Sequence, residues 1–223
     1  MGMIKPMAYN RTIMLPKYHI EITREALGEH FSAAGLQKII TANLHQDRLA
    51  AQYGHDEFHC DNNAFEKSYA YIEEQRTLVI SALQNKDETS AWAAFGRLMH
   101  TAQDFYAHSN YIDLWISHQK GTAIPAPAEV DPVDSASLHS PALHSGKLYY
   151  PLELLSYVEF LRPFILPLLP RDSHAWMNLD SPARGPSFIY AYHAAVKRTK
   201  IEFEETVVGL AKDHLALFLN ENR

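Results

Sequence analysis

In the stretch GRLMHTAQDFYAHSNYIDLW, residues 96–115, His100, Asp104 and His108 recur at every fourth position among apolar and aromatic neighbours. Imidazole and carboxylate groups are the nitrogen and oxygen ligands that suit zinc and related divalent ions. On an α-helix each step of four residues drifts by roughly 40°, so the three side chains share one stripe about 80° wide. Along the axis His100 and Asp104 are ~6 Å apart, and His100 and His108 ~12 Å apart. Metal–ligand bonds are about 2 Å long, so adjacent members can clamp one ion while the outer two cannot share one. Asp104, with two oxygens and a negative charge, is the member placed to bridge. The other reading is an ordinary helix whose hydrated or hydrogen-bonded side carries these groups, and the stripe alone leaves both open.

Further groups of the same type lie along the chain, which has 13 His and a single Cys. His19 in YHIEITREAL stands just ahead of a first helix, and Asn43 and Asp47 in ANLHQDRL stand one turn apart on a second. His59 in DEFHCDN falls in a loop, and HAWMNLD supplies His174 and Asp180. Taken singly, each has an ordinary structural reading: a cap, a surface acid, an exposed loop histidine. His193 and His214 read as packed helix residues and His118 as solvated.

Helical spacing positions these groups. The pattern predicts helices over 20–34, ending at Gly35, over 36–54 and over 64–87. A single helix over 88–119 carries the stripe, with Thr89 or Ser90 as its N-cap. Residues 120–151, rich in Pro, Ser and Ala, form a long loop or lid. The segment LELLSYVEFLRPFILPLLP is a helix interrupted by Pro163, Pro167 and Pro170. Residues 171–186 read as loop and 187–221 as one final helix. No convincing strand alternation or internal repeat is visible. The expected architecture is all-α, a single multi-helix domain over 1–223 with residues 1–17 as an N-terminal extension.

Composition narrows the function classes. A formal charge of −6 and the lack of a dense Lys/Arg cluster argue against duplex nucleic acid as a partner. One cysteine rules out an intramolecular disulfide framework. No apolar run reaches the roughly 18–20 residues of a membrane span, and the N-terminus, interrupted by Pro6, Arg11 and Pro16, lacks a signal-peptide core. The expectation is a cytoplasmic protein acting on a small-molecule or lipid substrate, with peripheral membrane contact left open and no oligomeric state indicated.

The segment LMHTAQDFYAHSNYID resembles the LHxxQDFYAHSNW signature of the heterokaryon-incompatibility (Het-C) proteins and related von Willebrand-domain proteins. These are similar in turn to the zinc-dependent phospholipase C and single-strand nuclease superfamily. HIEITREAL resembles that group's opening motif and EFHCDN its HFD segment, in the same order. The resemblance covers residues 18–115 and thins afterwards. It implies an all-α fold holding two or three zinc ions. Carried over, Asp47, His59, His100 and Asp104 hold one zinc, His19 and the bridging Asp104 another, and His108 opens a third site. Asp47 is either a ligand or a general base.

Two departures stand out. The leading amine that binds zinc in the secreted phospholipases has a counterpart here only if the chain is processed, because 18 residues precede His19. The HxxxE or HxxxD pair of the third site is also missing, since Leu143 and Leu148 follow His139 and His144 by four residues. His174 and Asp180 resemble the corresponding Het-C segment, with different spacing. The resemblance therefore implies a phospholipase C-like hydrolase of phosphate esters in which the cluster activates water. Phe164, Ile165, Leu166, Leu168 and Leu169 line a hydrophobic pocket or belong to the core. The alternative is a Het-C-like scaffold without hydrolysis, used for binding or assembly or redirected to a small hydrophobic natural product.

Overall fold

Every residue from Leu98 to Ser109 is buried, so the helix that carries the stripe has no solvated side over its last three turns. The structure is a computed structural model that describes residues 16–48, 51, 54–119, 121, 123–156, 158 and 160–220. Most of the predicted N-terminal extension, residues 1–15, lies outside the described residues.

In chain order the helices are α1 (Pro16–Leu27), α2 (Ala33–His45), α3 (Asp56–His59), α4 (Phe65–Gln84), α5 (Glu88–His108) and α6 (Tyr111–His118). They continue with α7 (Ser135–Leu138), α8 (Leu152–Ser156), α9 (Arg162–Ile165), α10 (His174–Met177), α11 (Ser187–Val207) and α12 (Lys212–Leu219). Among the described residues there is no strand, only two isolated bridges, Ser109 to Ser145 and Lys147 to Ser173. The fold is all-α. Helices α2, α4 and α11 surround α5, and α1 lies across α2 and α11. At the end of α5 away from the stripe, Phe31, Phe95 and Phe218 interlock edge to face, with ring centroids 5.0 and 5.3 Å from Phe218. Trp92 Nε1 donates to the Phe218 carbonyl at 2.7 Å, which holds α12 against α5.

Several boundaries differ from the sequence pattern. His19 lies inside α1 rather than ahead of it. Helix α1 stops at Leu27, and Gly35 sits in the first turn of α2, where Ser32 caps the helix by accepting from Gly35 N–H. Asp47 lies in the turn just beyond α2. The segment 55–63 is ordered by α3 and a 3-10 turn, with Cys60, Asn62 and Asn63 at positive φ, rather than being irregular. Asp87 is the N-cap of α5, accepting from Ser90 N–H at 3.0 Å. The predicted helix over 88–119 breaks at Ser109, where a distant loop takes over its terminal groups: Gly146 N–H donates to the His108 carbonyl. The final helix breaks after Val207, with Gly209 at positive φ. The segment 171–186 holds α10 and a short 3-10 turn.

One glycine sets the spacing that matters most. A Cβ on Gly96 would lie 2.3 Å from the Ile39 carbonyl oxygen and 2.8 Å from Ala42 Cβ, so α2 meets α5 at backbone contact. That approach brings Asn43 and Asp47 to the stripe. Gly96→Ala therefore forces the two helices apart; overpacking of this kind costs about 1–3 kcal/mol. Chemical denaturation should register the loss, together with a lower midpoint temperature.

Candidate metal centre

The stripe residues are not hydrated: His100 and Asp104 are 0% exposed and His108 is 1% exposed. They meet residues from three other segments. Around Asp104, His19 Nε2 lies 3.3 Å from Oδ1, while His59 Nδ1 and His100 Nε2 each lie 3.0 Å from Oδ2. Asp47 closes the group, with its oxygens 3.9 Å from His19 Nε2 and 3.7 Å from His100 Nε2. One ligand atom from each of His19, Asp47, His100 and Asp104 falls within 4.8 Å of the others. The imidazoles of His19 and His100 stack at 4.6 Å, and the His59 ring stands edge-on to His100 at 4.9 Å.

A second group lies one turn further along α5. His108, His174 and Asp61 also bring one ligand atom each within 4.8 Å of the others. His174 Nδ1 donates to Asp61 Oδ1 at 2.9 Å, and its ring stands edge-on to His108 at 4.5 Å. His108 Nδ1 donates to the His59 carbonyl at 2.9 Å, which turns Nε2 towards Asp180 Oδ1, 3.3 Å away. The two groups are joined through His59, whose ring faces the first while its backbone oxygen orients the second.

Unsatisfied atoms distinguish this arrangement from a set of hydrogen-bonded core residues. His19 Nε2, His59 Nε2, His108 Nε2, Asp104 Oδ1 and both oxygens of Asp47 and of Asp180 are buried without a hydrogen-bond partner. Leaving one such group unmade costs about 1–3 kcal/mol. Eight together would rival the roughly 5–15 kcal/mol that holds a whole domain folded. Their close approaches lack hydrogen-bond alignment, as is expected of atoms aimed at shared points rather than at each other. These buried His/Asp clusters are able to hold metal ions.

The electrostatics agree. Burial would pull the His19 imidazolium down, but the Asp104 and Asp47 carboxylates outweigh it and hold the group up at about 9. At His100 burial prevails, and the positive charge of His19 adds to it, so its pKa falls. His108 is raised well above its ordinary value: Asp104, Asp61 and Asp180 overcome its burial. His174 is raised against burial by Asp61. Burial would raise Asp104, yet the neighbouring His100 and His108 keep it well below the usual carboxylate range.

His19, Asp47, His59, His100, Asp104, His108, His174 and Asp180 all line the two groups or adjoin them. The structure gathers His19, Asp47, His100 and Asp104 into one group, with Asp104 facing His19 on one oxygen and His59 and His100 on the other. Asp61 was not anticipated, although it stands two residues after His59 in the same EFHCDN segment. His139 and His144 are exposed and bonded locally, outside both groups. Phe164 and Leu168 are surface residues, 73% and 66% exposed, and do not form a pocket wall. No helix among the described residues is long and apolar enough to cross a membrane.

Fold and site together define an all-α protein built around a buried histidine–aspartate cluster on its central helix. The family model for the VWA7 N-terminal domain matches residues 17–137, more than half of the chain, and the protein belongs to that family. His174 and Asp180 lie beyond the matched stretch. No curated protein and no solved structure matches the chain.

Two outcomes follow. A metal-binding imidazole must be neutral, so an ion entering the first group at neutral pH must displace the His19 proton, and the affinity of that group for a divalent ion should climb with pH up to about 9. Calorimetry in buffers of different ionisation enthalpy would read the protons released. In the metal-free protein the same group stabilises the fold fully below 6.5 and loses that contribution as the pH rises through about 9. Secondly, a Cβ on Gly146 would lie 2.6 Å from His174 Cα. Gly146→Ala should therefore displace His174 and lower the metal content of the second group while sparing the first, as measured by metal analysis of the purified variant.

Proposed function

We propose that the protein is a metal-dependent hydrolase of phosphate esters, phospholipase C-like, working through a multinuclear zinc cluster. The observation that carries this reading is the set of eight orphaned, buried nitrogen and oxygen atoms contributed by six residues. An all-nitrogen-and-oxygen donor set suits zinc. In this reading His19, Asp47, His59, His100 and Asp104 hold the first ion or pair of ions, and His108, His174 and Asp180 hold the next. Asp61, hydrogen-bonded to His174 Nδ1, orients that ring in the manner of a carboxylate–histidine–metal triad. When bound, zinc in such a cluster acidifies water and offsets the charge of a phosphoryl group.

The chain's own residues supply the rest. Asp104 offers its two oxygens to different partners, Oδ1 towards His19 and Oδ2 towards His59 and His100, which suits a bridging role. Asp47 is the most accessible of the first group, at 8% for its side chain. In this reading it is either a ligand or the general base that takes a proton from water. Buried apolar surroundings, with Phe105 and Tyr106 beside the stripe, exclude bulk solvent and strengthen these electrostatic interactions. A lipid substrate is supported by the exposed Leu154, Leu155, Phe160, Phe164 and Leu168 in the segment leading to His174.

A second reading has its own support. The closure of the cluster, with candidate ligands between 0 and 8% exposed, favours a scaffold that keeps metal without hydrolysis. Such a protein would serve in binding or assembly, or act on a small hydrophobic natural product.

Mass spectrometry on protein purified without added zinc should find two or three equivalents, depleted in Asp104→Asn. Phosphocholine release from phosphatidylcholine, or nitrophenol release from bis(p-nitrophenyl) phosphate, should fall in that variant by about 10²–10³-fold. Absence of bound metal would sink the hydrolase reading; bound metal without turnover would leave the scaffold.

A further inference from the structure

Gln103 immediately precedes Asp104 and is 0% exposed, yet it offers no ligand atom to either group. Its amide is bonded on every side. Oε1 accepts from His19 Nδ1–H at 2.7 Å and from Asn43 Nδ2–H at 3.1 Å. Nε2 donates to Thr23 Oγ1 and to Thr199 Oγ1, each at 3.2 Å. Two acceptor positions and two donor hydrogens exhaust the capacity of a primary amide.

The direction of the amide is determined from outside. Thr199 spends its one hydroxyl hydrogen on the Ala195 carbonyl at 2.8 Å, so towards Gln103 it can only accept. The NH2 group of Gln103 must therefore face Thr199, and Oε1 must face His19 and Asn43. Asn43 in turn gives a hydrogen to Oε1 and presents Oδ1 to His100 Nδ1–H at 3.2 Å. The relay runs from Ala195 and Thr199 on α11 through Gln103 on α5. It ends directly at His19 on α1, and through Asn43 on α2 at His100. In their neutral forms both imidazoles thereby keep their proton on Nδ1, which leaves the Nε2 lone pairs pointing at the Asp104–Asp47 cluster.

We infer that Gln103 is a positioning residue for the first metal group: its amide, polarised by Thr199, sets His19 and His100 together as Nε2 ligands. This inference rests on the metal-cluster reading above. Reversing or deleting the amide would leave His19 Nδ1–H and the Asn43 amide facing no acceptor. It would also free the His19 ring to take the other tautomer or turn.

The test measures zinc affinity by competition with a chromophoric chelator, and the visible spectrum of the cobalt(II)-loaded protein, for wild type, Gln103→Met, Gln103→Glu and Thr199→Val. Gln103→Met removes the amide at similar volume and should weaken zinc binding by about 10–100-fold, the usual effect of losing a partner behind a metal-bound histidine. It should also shift the cobalt bands. Gln103→Glu keeps an acceptor for His19 and Asn43 and should retain affinity within a few-fold of wild type. Thr199→Val preserves shape but removes the group that orients the amide. It should weaken binding by a smaller factor with the same spectral shift.

A merely structural role would lower the unfolding temperature of all three variants while leaving affinity and spectrum unchanged, and would overturn the inference. If Gln103→Met does not fold, Thr199→Val decides: wild-type affinity and an unshifted spectrum there reject the relay. A wild-type protein that binds neither zinc nor cobalt would instead remove the metal-cluster reading on which the inference stands.

Discussion

A carboxylate at the centre of a fully enclosed helix is the constraint to which the rest of this molecule answers. Asp104 is 0% exposed, and the helix around it is buried on every side from Leu98 onward. An isolated buried carboxylate is far too costly to persist without compensation. Compensation arrives from α1, from α3 and from the helix's own preceding turn, as His19, His59 and His100. Asp47 adds a second negative group, so the cluster collects two acids as well as three imidazoles. That balance suits a cation better than a closed set of ion pairs, because His19 Nε2, His59 Nε2, Asp104 Oδ1 and both Asp47 oxygens are buried without a hydrogen-bond partner.

Supporting contacts keep these groups from collapsing onto each other. Gly96 lets α2 approach α5 closely enough for Asn43 to reach His100 and Gln103. On the opposite side, α11 is fastened to α4 by the buried Glu202, which accepts from Arg76 and from Arg198. Thr199, one turn before Glu202 on α11, reaches Gln103 from that fixed position. A charged network remote from the cluster thus helps to hold the hydrogen bond that orients its histidines.

The second group depends on a different device. The segment 145–147 runs as a strap between the Asp61–Asn63 turn, the end of α5 and the start of α10. Asn62 N–H donates to the Gly146 carbonyl, Gly146 N–H to the His108 carbonyl, and His174 N–H to the Lys147 carbonyl. Asn63 and Ser145 exchange a reciprocal pair of bonds. Glu153 accepts from Ala175 N–H at 2.6 Å and so steadies the first turn of α10 behind His174. Through these bonds a segment with no helical period of its own places Asp61, His108 and His174 together.

How much of this was legible beforehand varies with the range of the interaction involved. The all-α class and the stripe on α5 were visible because helical spacing is local and repeats every turn. His19, Asp47 and His59 carried weaker marks, since a lone histidine or aspartate looks the same whether it caps a turn or faces an ion. Gln103 lay in plain view in QDFYAHSN. Only its four partners, drawn from α1, α2 and α11, show what its amide does. Asp61 and the break at Ser109 were hidden because backbone bonds to residues some 35 to 85 positions away create them.

The sequence by itself determined the chemistry on offer: which nitrogen and oxygen ligands exist, and that His100 and His108 stand too far apart on one helix to share an ion. The tertiary structure decided which partners each of them meets, and which ring nitrogen faces inward. Those choices depend on the helix approach at Gly96, on the close passage of Gly146 against His174 and on hydrogen bonds between segments distant in the chain. No periodicity records such contacts.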